Sequence, residues 1–200
     1  IYSPYYPDLQ FVDLPGFTKI ALDWQDSDIE RQVLDLILPI MKEPNTIILA
    51  IQDATQDIAS SEALKRALAN DVDPNGDRTI GVLTKLDNLD SASDRRSVAD
   101  ILQNKSKPLK LGYIGIVNRT QDEIDNKANA AVSKENEKRT VARHEFQVLK
   151  GSIGINVLRQ RIIKILAEHV KTLIPSLQQR TEDELKQIRS ELAHHGLNMG

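Results

Sequence analysis

Two hydrophobic periods alternate along this chain, and that alternation constrains its fold more than any other feature. Short apolar runs rich in β-branched residues recur at positions 9–14, 46–51, 79–83 and 113–117. Runs of this length, bounded by polar and turn-forming residues, read as buried strands. Between them, apolar residues fall at helical spacing. Ile29, Val33, Leu36, Ile37, Ile40 and Met41 mark one helix, with Asp26 or Ser27 as its cap. Positions 60–70 mark a second, capped by Ser60 or Ser61 with Glu62 in the first turn, and 94–102 mark a third. Asp73-Pro74-Asn75-Gly76 reads as a turn. Strand and helix in repeated alternation build a parallel sheet with crossover helices, the doubly wound α/β class.

The remaining sequence sets bounds on this reading. Two hundred residues suffice for one domain with an appendage. A net charge of -3 offers no broad basic field for nucleic acid or a membrane surface. The chain has no cysteine, which removes disulfides, thiolate metal sites and cysteine nucleophiles from consideration. No apolar run reaches the length of a bilayer span. No internal repeat or low-complexity tract interrupts the pattern. The opening residues Ile1-Tyr2-Ser3-Pro4 carry neither an initiator Met nor a signal-peptide pattern, so a natural N-terminus upstream is expected.

In a parallel sheet, ligands bind beyond the carboxyl ends of the strands. Four segments occupy those positions: Asp13-Leu14-Pro15-Gly16, Gln52-Asp53, Thr84-Lys85-Leu86-Asp87 and Asn118-Arg119-Thr120-Gln121. The Asp87 carboxylate can accept hydrogen bonds from guanine N1–H and the exocyclic N2 amine, donors that adenine lacks on that edge. Leaving such a group unpaired is costly, so the discrimination can reach ~10⁴-fold. The Lys85 stem can lie along the face of the base. Taken alone, a T-K-x-D loop is a weak signal and reads more readily as a solvated polar loop after a strand. Asp13 can hold a Mg²⁺-bound water, and the Gly16 backbone N–H can approach a γ-phosphate without Cβ interference; a plain strand-to-loop Pro-Gly turn is the alternative. Asn118-Arg119-Thr120-Gln121 can close over base and ribose, or Thr120 can cap a helix beginning at Gln121. Together, the order and spacing of the three segments suit a guanine-nucleotide domain.

On these residues the chain resembles the dynamin family of large GTPases. Phe11-Val12-Asp13-Leu14-Pro15-Gly16-Phe17-Thr18-Lys19 resembles its switch-two segment. The run from Val72 to Asp87, with Asp73-Pro74, Gly76, Arg78-Thr79-Ile80-Gly81-Val82 and Thr84-Lys85-Leu86-Asp87, is similar to the family's D-P-x-G-x-R-T-I-G-V-x-T-K-x-D. Gly112 to Gln121 is similar to its G-Y-x-G-V-x-N-R-[ST]-Q, and Leu173-Ile174-Pro175-Ser176-Leu177 to its L-P-x-L hinge. The resemblance implies a P-loop GTPase fold whose N-terminal part lies outside this chain, because no G-x-x-x-x-G-K-[ST] is present. It also implies residues 1–172 as the C-terminal portion of the GTPase domain, and 173–200 as the start of the bundle signalling element. By position, Gly16 would serve catalysis through its backbone on the γ-phosphate side. Asp13 would hold Mg²⁺ through water. Asp13, Leu14, Pro15, Gly16, Thr84, Lys85, Leu86, Asp87, Asp90, Asn118, Arg119, Thr120 and Gln121 would line the GTP/GDP site. Leu86 and Asn118-Arg119 fit the fission branch better than the antiviral Mx branch. The loop from Leu22 to Ser27 lacks the family's usual Gln-Pro pair, and residues 122–152 are shorter and more polar than in classical dynamins.

The implied partners are guanine nucleotide, copies of the same protein through GTPase-domain and stalk contacts, and membrane lipids indirectly through other regions, with no nucleic acid. Microtubule binding, and a cytoplasmic location peripheral to an organelle or the plasma membrane, follow from the same resemblance. Residues 1–200 alone are expected not to hydrolyse GTP. An assembly scaffold with degenerate activity is the rival reading, and a small regulatory GTPase is the weaker third. The latter has no need of the apolar seam at Leu177, Thr181, Leu185, Ile188 and Leu192. A preceding amphipathic helix, carrying Ile155, Leu158, Ile162, Ile163, Leu166 and Val170, is expected to close near Pro175. Trp24 reads as an interface residue or a partly buried loop aromatic. His169, His194 and His195 read as surface or packing residues, and positions 134–143 as a solvated, mixed-charge face.

Overall fold

Val33, Ile37 and Met41 recur every four residues and are buried along one face of helix α1, Ile29–Lys42. In this computed structural model, which describes residues 10–17, 26, 28–119, 121–125 and 130–194, that face packs beside a parallel sheet. The Asp26 carboxylate accepts from Asp28 N and Gln32 Nε2, and its carbonyl from Ile29 N, so Asp26 organises the entry to α1 although Asp28 is the capping position. Ser27, the other candidate, lies outside the described residues.

Strands β1 (Ile48–Asp53), β2 (Thr79–Thr84) and β3 (Tyr113–Gly115) lie side by side in that order, all parallel. The register pairs Ile48 with Thr79, Asp53 with Thr84, and Gly81 with Tyr113. Helix α2, Glu62–Ala67, occupies the first crossover and α3, Ala92–Leu102, the second. Each starts on a serine: Ser61 Oγ accepts from Leu64 N, and Ser91 Oγ from Asp94 N. Side chains of a strand alternate between faces, so the unbroken burial of residues 79–83 means that both faces of β2 are covered. On the edge strand β1 only one face is closed, and Ile51 on the other is 57% exposed.

The turn at Asp73–Gly76 locks the opposite, amino-terminal edge of the sheet. Gly76 N donates to Asp73 O at 2.9 Å. The buried Asp73 carboxylate accepts from Asp77 N, Arg78 N and Thr79 Oγ1 at 2.9, 3.0 and 2.7 Å. The Arg78 guanidinium donates to the carbonyls of Met41, Thr46 and Val72, tying the end of α1 to the starts of β1 and β2. One apolar cluster joins α2, β2, β3 and α3 around Leu83, Leu86, Leu102, Tyr113 and Phe146; another joins α1 to Ile48 and Ala67.

Beyond β3 come α4 (Gln121–Asp125), α5 (Ala130–Val141), a 3₁₀ segment at His144–Ser152 kinked at Leu149, and α6 (Ile155–His194). Residues 1–160 form one compact unit and 161–200 another. The second unit is helical through His194 and exposes Val170, Ile174, Leu177, Leu185 and Ile188. Among the described residues no helix is long and apolar enough to cross a membrane.

Three expectations need correction. Residues 10–14 of the expected strand at 9–14 are not a strand, and Phe11 and Val12 stand 68% and 52% exposed. A strand exists only with a hydrogen-bonding neighbour, and this segment pairs with no edge of the described sheet. β3 ends at Gly115, so Asn118 stands three residues past the strand rather than directly after it. The helix does not close near Pro175 but runs through it to His194. Pro removes one N–H and crowds one preceding carbonyl, and on an exposed helix water satisfies the group left over.

Candidate functional site

Because all three strands are parallel, their carboxyl ends share one edge. Asp53 is in register with Thr84, Ala54 N donates to Thr84 O, and Ile116 N donates to Leu83 O. The segments following β1, β2 and β3 therefore leave the sheet side by side.

The loop after β2 is the most constrained. Thr84 Oγ1 donates to Gln52 O at 3.2 Å, fastening the last residue of β2 to β1. Lys85 then adopts the left-handed conformation, with φ 57 and ψ 38, and turns the chain into a 3₁₀ turn at Leu86–Asn88. For a residue with a Cβ this region costs roughly 1–2 kcal/mol, a strain that collects at functional loops. Two anchors hold it. Lys85 Nζ pairs with Asp53 Oδ2 at 2.7 Å. Leu86 is fully buried in the apolar cluster, where it lies against Gly115 so closely that a Cβ there would force the Leu86 side chain to shift.

Asp53 is itself fixed, since its Oδ1 accepts from Thr55 N and Oγ1 at 2.9 and 2.8 Å. Burial raises the proton affinity of its carboxyl. The Lys85 ammonium and the Thr55 donors outweigh that and hold it below the usual carboxylate range. The same hydrogen bond and charge raise the Lys85 ammonium above its ordinary value.

Asp87 is half-buried, and among the described residues its carboxylate takes no hydrogen bond. Its main chain is held instead. Arg143 donates from Nη2 to Asp87 O at 3.0 Å, and from Nη1 to Leu89 O and Leu86 O at 3.1 and 3.3 Å. Arg95 Nη1 donates to Asp90 O at 2.7 Å and Leu89 O at 3.1 Å. Glu145 sits 3.2 Å from Arg95 Nε. A hydrogen bond from its own backbone N–H, and Arg95 beside it, hold the Glu145 carboxyl below the usual range.

Sequence reasoning missed both arginines. Arg143 was expected on a solvated face, yet it is half-buried and spent on carbonyls more than fifty positions away. The available signal was Phe146 and Leu149, whose burial draws this segment onto the core.

The other expected site residues lie as follows. Asn118 and Arg119 are exposed beyond β3, Thr120 is outside the described residues, and Gln121 is the first residue of α4. Asp90 is exposed, its carbonyl held by Arg95. Asp13, Pro15 and Gly16 are exposed, while Leu14 and Phe17 anchor their loop on the α1 cluster. A Cβ at Gly16 would meet nothing within 4 Å. Among the described residues no three His, Asp or Glu side chains are grouped to hold a metal ion.

The family model described as "Dynamin central region" matches residues 97–200, which is more than half of the chain, and "Dynamin family" matches residues 1–86. The chain belongs to the dynamin family. It is 41% identical to Dynamin-B of Dictyostelium discoideum over 98% of its own length and 21% of that protein. It is 38% identical to Dynamin-1 of Homo sapiens, over 98% of this chain and 22% of that protein. It is likewise 38% identical to Dynamin-related protein DNM1 of Saccharomyces cerevisiae, over 98% and 25%. The chain thus spans about a fifth to a quarter of the curated relatives it matches. Its three-stranded parallel sheet and crossover helices are part of a P-loop GTPase-type fold, followed by a helical extension.

Proposed function

We propose that the protein carrying this chain is a dynamin-like enzyme that binds GTP and hydrolyses it to GDP. One observation carries the reading: within a dynamin-family chain, the Thr84-Lys85-Leu86-Asp87 loop stands at the carboxyl edge of the sheet with its backbone clamped and, among the described residues, no hydrogen bond to its acidic side chain. Asp87 would accept from guanine N1–H and N2, and the Lys85 stem would lie on the base. Asp90, Asn118, Arg119, Thr120 and Gln121 would close the base and ribose side. Asp13, Leu14, Pro15 and Gly16 would face the phosphates, with Gly16 offering its backbone N–H and Asp13 a water of the nucleotide's Mg²⁺. That ion supplies charge neutralisation to phosphoryl transfer when bound.

The wider role follows from family membership. Residues 1–172 would complete a GTPase domain, and 173–200 would begin the bundle signalling element. Its exposed apolar residues Leu177, Leu185 and Ile188 suit packing against further helices. The whole protein would assemble with copies of itself through the GTPase domain and stalk. It would work at the cytoplasmic surface of an organelle or the plasma membrane, remodelling or dividing it. Microtubule binding belongs to the same reading.

Binding and turnover by the full-length protein, comparing GTP with ATP and wild type with Asp87→Ala, tests the proposal. GTP-selective hydrolysis that disappears in Asp87→Ala is expected. Turnover without GTP preference, or unaffected by the substitution, overturns the assignment of the base to Asp87. Absence of turnover in the wild-type protein leaves an assembly scaffold.

A further inference from the structure

We propose that Arg143 is a positioning residue for base selection: its guanidinium sets the place of the Asp87 carboxylate by holding the main chain on either side of it. The inference rests on the reading that Asp87 takes the base. A tight turn leaves carbonyls pointing outward, and a loop whose carbonyls find only water shifts easily. Here the carbonyls of residues 86, 87, 89 and 90 all accept from two guanidinium groups.

Arg143 alone takes three of them, the task for which a rigid fork of five N–H donors is suited and a point-charge ammonium is not. Its contacts bracket Asp87 from both sides, on carbonyl oxygens. Among the described residues the Asp87 carboxylate accepts no hydrogen bond, and its place is set through the backbone that carries it. Arg95 supports the far end of the loop, and Glu145, two residues after Arg143, holds Arg95. The clamp and its brace thus arrive together at the start of the 3₁₀ segment His144–Ser152.

A residue that only stabilised the fold would change the melting temperature and leave base preference alone. A positioning residue changes the preference. Reading two donors with one carboxylate requires placement to a fraction of an ångström, and a shift of about 1 Å costs up to ~100-fold.

The test is equilibrium binding of GDP and of ADP to the full-length protein as wild type, Arg143→Ala, Arg143→Lys and Asp87→Ala, with a melting curve for each. Arg143→Ala is expected to weaken GDP about 10- to 100-fold with ADP unchanged. Arg143→Lys, which can reach one carbonyl at a time, is expected to fall between. If Arg143→Ala does not fold, Arg143→Lys alone decides. Folded Arg143 variants that keep the wild-type ratio of GDP to ADP affinity, while Asp87→Ala loses it, overturn the positioning role and leave the base assignment standing. An Asp87→Ala protein that keeps the ratio overturns both.

Discussion

Adding one methyl group at Gly115 should displace the loop proposed to read the base, Thr84 to Asp87, from beneath. A Cβ there would sit about 1 Å inside the ~3.5 Å separation at which two carbons rest, with Leu86 Cδ1 as the obstructing atom and Leu102 Cδ1 next. Leu86 is fully buried, so it cannot swing into solvent without opening a cavity in its own cluster. Overpacking of this kind costs about 1–3 kcal/mol. Against it stands the gain of about 0.4–1 kcal/mol from restricting the unfolded chain when Gly becomes Ala. The clash wins, leaving Gly115→Ala destabilised by about 1–2 kcal/mol. Urea unfolding should show a midpoint lower by on the order of 0.5–1 M at unchanged slope. Because Asp87 follows Leu86, the same shift of about 1 Å should lower the preference for GTP over ATP by up to ~100-fold. Adding Leu86→Ala removes the obstructing atoms, so the two substitutions together should destabilise less than the sum of their separate effects. A Gly115→Ala protein with the wild-type urea midpoint and wild-type base preference would refute the reasoning.

Two further substitutions probe the two edges of the sheet. Asp73→Ala should cost about 3 kcal/mol or more in urea unfolding, since it strands three donors in a site where Asp73 is only 5% exposed; a loss below 1 kcal/mol would mean that the turn holds without its carboxylate. Asp53 titrates lower in the folded chain than in the unfolded one, so its pair with Lys85 contributes stability above the unfolded carboxylate value of about 4, and loses it as pH falls through the depressed folded value. Lys85 titrates higher when folded, so the same pair fades again as pH rises beyond the usual lysine value of about 10.4. Melting curves at pH 7 and pH 3 should therefore show a smaller acid-induced loss for Asp53→Asn than for wild type, and equal losses would show that the pair is not coupled to folding.

Much of this architecture is a consequence of local pattern. The β-branched runs at 46–51 and 79–83 overlap β1 and β2, and the spacing from Ile29 to Met41 became α1 with Val33, Ile37 and Met41 buried. Ser61 caps α2, and Asp73 to Gly76 closes a turn. These features depend on hydrogen bonds and burial within a few residues, which spacing reports directly. The loop bearing Thr84, Lys85, Leu86 and Asp87 was legible for the same reason, because a polar cluster after a buried strand can lie only at the sheet's carboxyl edge.

What tertiary structure decided is every contact between distant positions. Residues 10–14 have a strand's composition without its neighbour, and a ladder needs two partners. Pro175 has a helix breaker's chemistry in a helix that continues, because its surroundings are solvent. Arg143 and Arg95 look like two charges among many, yet folding delivers both to the carbonyls around Asp87 and sets Glu145 beside Arg95. Composition and period state which side chains shun water and how the backbone satisfies itself nearby. They carry no record of which buried carbonyl a long side chain will reach, since that distance exists only once the sheet, α3 and the segment after α5 have packed together.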